Sequence, residues 1–122
     1  MVIKKFLVFL CLGSLIFIGC KDDENTKIDC TGLTPKYTSD ISPIINTNCA
    51  IENCHGSIGT QAGINLSNYA NVKSNSSKSD FLKSIKHESG VVAMPIEGSG
   101  LSKLSTEKIK LIECWIQNGQ PE

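Results

Sequence analysis

Arginine is absent from all 122 residues, and the aromatic complement is four Phe, two Tyr and one Trp. With no arginine and a formal net charge of zero, the chain lacks the basic face that nucleic-acid binding calls for. From Lys21 onward ten lysines stand against twelve acidic residues, a balance of −2. Long hydrophobic runs are missing as well. The one sizeable stretch, Phe6 to Gly19, is interrupted by Ser14 and falls short of the roughly 20 apolar residues a spanning helix wants. Paired segments with strand-like alternation, internal repeats and glycine-rich phosphate loops are also absent, which leaves a small, loop-rich, all-α reading.

What is there begins with a leader. Lys4 and Lys5 precede the apolar run, and a small residue, Gly19, stands before Cys20. Residues 1–19 read as a signal peptide, and Phe17-Ile18-Gly19-Cys20 resembles a bacterial lipobox. That resemblance implies cleavage before Cys20, lipidation of Cys20, and anchoring of the exported protein by more than one acyl chain. Lys21-Asp22-Asp23-Glu24 resembles the acidic tag of lipoproteins sent to the outer face of the outer membrane. The expected location is the outer membrane, on its periplasmic face or at the cell surface. A retained membrane anchor, or a secreted protein with an incidental Cys20, are the alternatives. Residues 20–36 are expected to be a polar tether and residues 37–122 one domain, too short for two.

Helical spacing in that domain is brief and interrupted. Asp40 to Asn48 is predicted as a first helix, capped by Ser39 or Asp40, with Pro43 tolerated in its first turn. Ile64, Leu66 and Tyr69 lead into a helical turn near Ser67 to Val72, followed by a polar surface loop over Lys73 to Ser79. Asp80 to Lys86 is a further short helix. Ser105 caps the clearest element, Thr106 to about Asn118, with Gly119 placed to end it and Pro121 beyond. Trp115 and Tyr69 are expected in the core.

Chemistry concentrates in Cys49-Ala-Ile-Glu-Asn-Cys54-His55. Two thiols and an adjacent imidazole are what covalent attachment of a c-type haem needs: sulfurs to add across two vinyl groups, and a histidine to bind iron. The common spacing is C-x-x-C-H; here it is C-x4-C-H, so two extra residues must bulge outward. A plain Cys49–Cys54 disulfide beside a surface His55 is the alternative. A zinc site from Cys49, Cys54, His55 and a fourth ligand is another, disfavoured by spacing and by an oxidising compartment. Met94, before Pro95 in an irregular stretch, is the only methionine after residue 1. It is either a packing residue or a second iron ligand, and His87 is its rival for that role. Four cysteines remain once Cys11 and Cys20 are set aside, and three pairings of four are possible.

The order of these pieces resembles the small class I c-type cytochromes of bacterial lipoproteins. The resemblance runs over nearly all of residues 37 to 121. It takes in Ile41-Ser-Pro-Ile-Ile45, the C-x4-C-H, Gly63-Ile-Asn-Leu66 with Tyr69, Met94-Pro95, and Leu104-Ser105 through Trp115-Ile116 and Gly119. It implies three to five short helices around one covalent haem c, with thioethers at Cys49 and Cys54, His55 as proximal ligand and Met94 as distal ligand. Cys30 and Cys114 would then pair as a disulfide. The function implied is a monomeric one-electron carrier rather than an enzyme, exchanging electrons with a redox protein donor and acceptor. A disulfide-stapled surface lipoprotein that binds a partner without haem is the reading from a different class.

Overall fold

Tyr37 opens the helical part of the chain because its backbone N–H finds a partner 84 residues away, the carbonyl of Pro121, at 2.9 Å. The structure is a computed structural model and describes residues 27–122. The leader, the lipidation of Cys20 and the acidic run behind it lie outside those residues. Among the described residues there are four α-helices and no strand, so the fold is all-α.

A single π-type turn, Tyr37–Ile41, runs directly into α1, Ser42–Asn48. Helical structure therefore begins earlier than the expected Asp40, and no side chain caps α1. Asp40 Oδ2 instead accepts from the Lys36 N–H at 2.9 Å and from the Ser39 hydroxyl at 2.6 Å. These bonds hold the Asp40 carboxyl below its ordinary value, the backbone N–H contributing most. The end of α1 is written in its polar residues. Asn46 bonds to Ser42, while Thr47 and Asn48 bond back to the carbonyls of Pro43 and Ile44. Side chains that claim carbonyls four residues back weaken helix continuation, and the chain leaves the helix at Cys49 with φ −133°.

The second helix, α2, covers Tyr69–Ser76 and is capped by Asn68, whose side chain accepts from the Asn71 N–H. It extends through a segment expected to be surface loop. Sequence favours a loop there, since Ser and Asn are poor interior helix residues. Tertiary contacts override that preference: Val72 and Ser76 are buried, and the Gln120 amide donates to Ser76 Oγ at 2.6 Å and to the Lys73 carbonyl at 3.1 Å. The third helix, α3, is Ser79–Lys86.

The fourth, α4, is Thr106–Gln117, with Ser105 Oγ accepting from the Lys108 N–H. Gly119 ends it at φ +84°, a left-handed backbone that glycine adopts without a Cβ penalty. The Gly119 and Gln120 N–H groups close back on the carbonyls of Ile116 and Trp115, which satisfies α4's last turn. Trp115 is fully buried, donates its indole N–H to the Pro121 carbonyl at 2.7 Å, and packs 6.0 Å from the Tyr37 ring. Around it gather Ile41 and Ile45 from the first turns and Ile112 from α4, all without solvent exposure. A disulfide joins Cys30 to Cys114 across 84 positions. It brings residues 27–36 onto α4, where Gln117 and Asn118 donate to the carbonyls of Ile28 and Leu33. No helix of the described residues is long and apolar enough to cross a membrane.

Candidate functional site

Away from Trp115, the chain between α1 and α4 folds around a partly open, apolar cleft. Cys49, Cys54, His55 and Met94 all line it, together with Pro95, Ile96 and Leu101; Asn48, Gln61 and Ser99 supply the polar part of its wall. None of these side chains carries a formal carboxylate or ammonium charge.

Backbone hydrogen bonds set the cysteine segment. The last turn of α1 delivers the Cys49 N–H to the Ile45 carbonyl at 2.8 Å. The extra residues are then taken up by a tight turn on one carbonyl, Ile51, which accepts from the Cys54 N–H at 3.0 Å and the Gly56 N–H at 2.9 Å. Asn53 sits in this turn with φ +63°. Gly56 is needed where it is, because a β-carbon there would lie 2.9 Å from the Ile51 oxygen. His55 donates its backbone N–H to the Cys49 carbonyl at 3.1 Å. That bond folds the seven-residue segment so that both thiols and the imidazole reach the same cleft. This is how the long spacing is accommodated.

The His55 ring is held from behind. Its Nδ1–H donates to the Ile64 carbonyl at 3.1 Å, and because a carbonyl only accepts, Nδ1 carries the proton. In the neutral ring this tautomer keeps the lone pair on Nε2, the arrangement by which proteins orient a metal-binding histidine. Both thiols are free. Burial, with a smaller contribution from neighbouring Cys54, pushes the Cys49 thiol up to about 11. Cys49 is therefore a thiol rather than a thiolate at neutral pH.

Met94 reaches the cleft from the opposite segment of chain, 39 residues after His55. Its backbone is fastened at two points to the end of α3: its N–H donates to the Ser84 carbonyl at 3.0 Å, and its carbonyl accepts from His87 Nε2 at 3.1 Å. His87 is exposed and does not line the cleft. Trp115 and Tyr69 do not line it either; Tyr69 packs 5.1 Å from Tyr37 and donates its hydroxyl to the Gln120 carbonyl at 2.8 Å. Among the described residues, no group of three or more His, Cys, Asp and Glu side chains converges as a metal site. Sequence reasoning missed Gln61, whose amide ties the cleft wall to the Asn53 carbonyl, and Ile96, half exposed at the cleft. Neither carries a local signal that would have marked it. Comparison with protein families, curated proteins and solved structures finds no match to this chain.

Proposed function

We propose that this chain is a monohaem c-type cytochrome, a one-electron carrier held at a membrane by lipidated Cys20. The observation that carries the reading is the shared cleft: two free thiols, an imidazole with an available Nε2 and a thioether line one apolar hollow. That donor set fits a covalent haem. Cys49 and Cys54 would hold the haem through thioethers, His55 through Nε2 and Met94 through its sulfur. Bound there, the haem supplies a one-electron redox couple.

The protein's own contribution is orientation and environment. The Ile64 carbonyl keeps His55 in the tautomer that leaves Nε2 free, and the carbonyl bond also raises the basicity of that nitrogen. Two neutral ligands and uncharged apolar walls disfavour the more highly charged oxidation state, which raises a reduction potential. Because His55 and Met94 would both be committed to holding the haem, exchange of electrons with redox protein partners would be favoured over binding of a substrate.

Haem staining of the denatured protein, matured in a host competent for c-type haem attachment, tests the reading. Covalent stain and a c-type reduced spectrum are expected. A colourless, folded protein joined by a Cys49–Cys54 disulfide overturns it. Within a stained protein, Met94→Ala is expected to lose the sulfur-to-iron charge-transfer band and to fall in potential.

A further inference from the structure

Helix α3 ends in an unusual way for its sequence. The His87 N–H bonds to the Ser84 carbonyl at 3.1 Å and the Glu88 N–H to the Lys83 carbonyl at 2.9 Å, with His87 in the left-handed region at φ +61°. This pair of bonds is the helix ending that most often takes glycine at the left-handed position, because a β-carbon there is disfavoured. Here that position carries an imidazole, on the surface and outside the core. The left-handed turn aims its Nε2–H at the Met94 carbonyl, 3.1 Å away. A few residues earlier the Ser84 carbonyl, at the same helix end, takes the Met94 N–H at 3.0 Å. Both backbone polar groups of one residue are therefore gripped by the C-terminus of α3.

Resting on the electron-carrier reading above, we infer that His87 is a positioning residue for Met94: its ring N–H and the Ser84 carbonyl clamp the Met94 backbone and present the thioether to the cleft. His87 thus acts on the site through a hydrogen bond to the ligand's backbone, with its Nε2 committed to that carbonyl. The clamp explains how a sulfur on an otherwise irregular stretch, flanked by Gly90 and Gly98, is held ready. Holding it in advance lowers the entropy lost when a ligand bond forms.

The backbone at His87 makes the test clean. His87→Gly removes the ring while suiting the left-handed turn, and His87→Gln returns an amide N–H at the place of Nε2. In the haem-loaded full chain, added imidazole competes with Met94 for the iron, so its apparent affinity reads how firmly Met94 is held. His87→Gly is expected to keep wild-type covalent haem and to melt no lower than wild type, yet to bind imidazole on the order of fivefold more tightly, the size of one lost hydrogen bond. His87→Gln is expected to return most of that change. Equal imidazole affinity in wild type and His87→Gly overturns the clamp alone. If Met94→Ala matches wild type in imidazole binding, the Met94 assignment falls and the clamp with it. If the wild type holds no covalent haem, the electron-carrier reading itself has failed.

Discussion

The half of the molecule around Trp115 and the half around the cleft are built from the same short helices but solve opposite problems. Around Trp115 no large apolar side chain is exposed, the last carbonyls of α4 are capped, and Cys30–Cys114 locks residues 27–36 in place. Even the polar members there are satisfied: Gln120, 8% exposed, has its amide shared between Ser76 and Lys73. Around the cleft, helix gives way to turns at positive φ, and the exposed large apolar residues Ile58, Val92 and Ile96 all belong to this half. The closed half is stabilised by burial. The open half is held by single backbone hydrogen bonds that fix a few side chains in position. The difference teaches that stability and chemistry are separated here, and that substitutions in the two halves should fail differently.

The largest expected effect lies in the closed half. Replacing the disulfide with Cys30→Ser and Cys114→Ala releases a loop of 84 positions, and should lower unfolding free energy by about 2–5 kcal/mol in urea titrations. A loss well under 1 kcal/mol would show that residues 27–36 are not part of the closed half's stability. Next is Trp115→Phe, which deletes the indole bond to Pro121 and leaves a void. About 2–3 kcal/mol is expected, and under the proposed haem reading the reduced visible spectrum should be unchanged. A shifted spectrum would mean that the two halves are coupled more tightly than described.

Gly56→Ala should break the pattern in the other direction. The new β-carbon meets the Ile51 oxygen at 2.9 Å and its carbonyl carbon at 3.0 Å, both backbone atoms that cannot rotate away. The cost to folding should be about 1–2 kcal/mol, and under the proposed haem reading covalent haem per chain should fall more than the Trp115→Phe variant's does. Equal haem content in the two variants would remove the distinction. The smallest effect is a pH dependence at Asp40. Its carboxyl titrates below the ordinary 3.8, held by the Lys36 N–H and the Ser39 hydroxyl. A carboxyl lowered on folding adds stability that is present above the unfolded value and is lost as pH falls through the folded one. The stability gap between wild type and Asp40→Asn should therefore be constant near neutrality and shrink as pH drops below about 4; a gap that persists in acid would place the effect elsewhere.

Legibility followed local against long-range causes and cut across both halves. The ends of α4 were readable because Ser105 and Gly119 act on neighbouring backbone groups, and α3 was placed to within a residue. The long Cys49–His55 segment offered two thiols and an imidazole by residue type alone. The extent of α2 was not readable, since its Ser and Asn residues favour loop and are held helical by Gln120, 44 positions beyond Ser76. The cleft's wall was hidden for a similar reason: Gln61, Ile96 and Leu101 are ordinary residues until folding sets them beside His55 and Met94.

By itself the sequence determined the all-α character, the helix boundaries set by local caps, and which side chains have metal-binding and thiol chemistry to offer. Those properties depend on residue type and on neighbours a few positions away. Only the tertiary structure decided that Cys49, Cys54, His55 and Met94 share one cleft, that the Ile64 carbonyl sets the His55 tautomer, and that His87 turns to the Met94 backbone. Each of those joins groups that the chain reaches only through loop closure, where weak local preferences yield to the hydrogen bonds and burial of the folded whole.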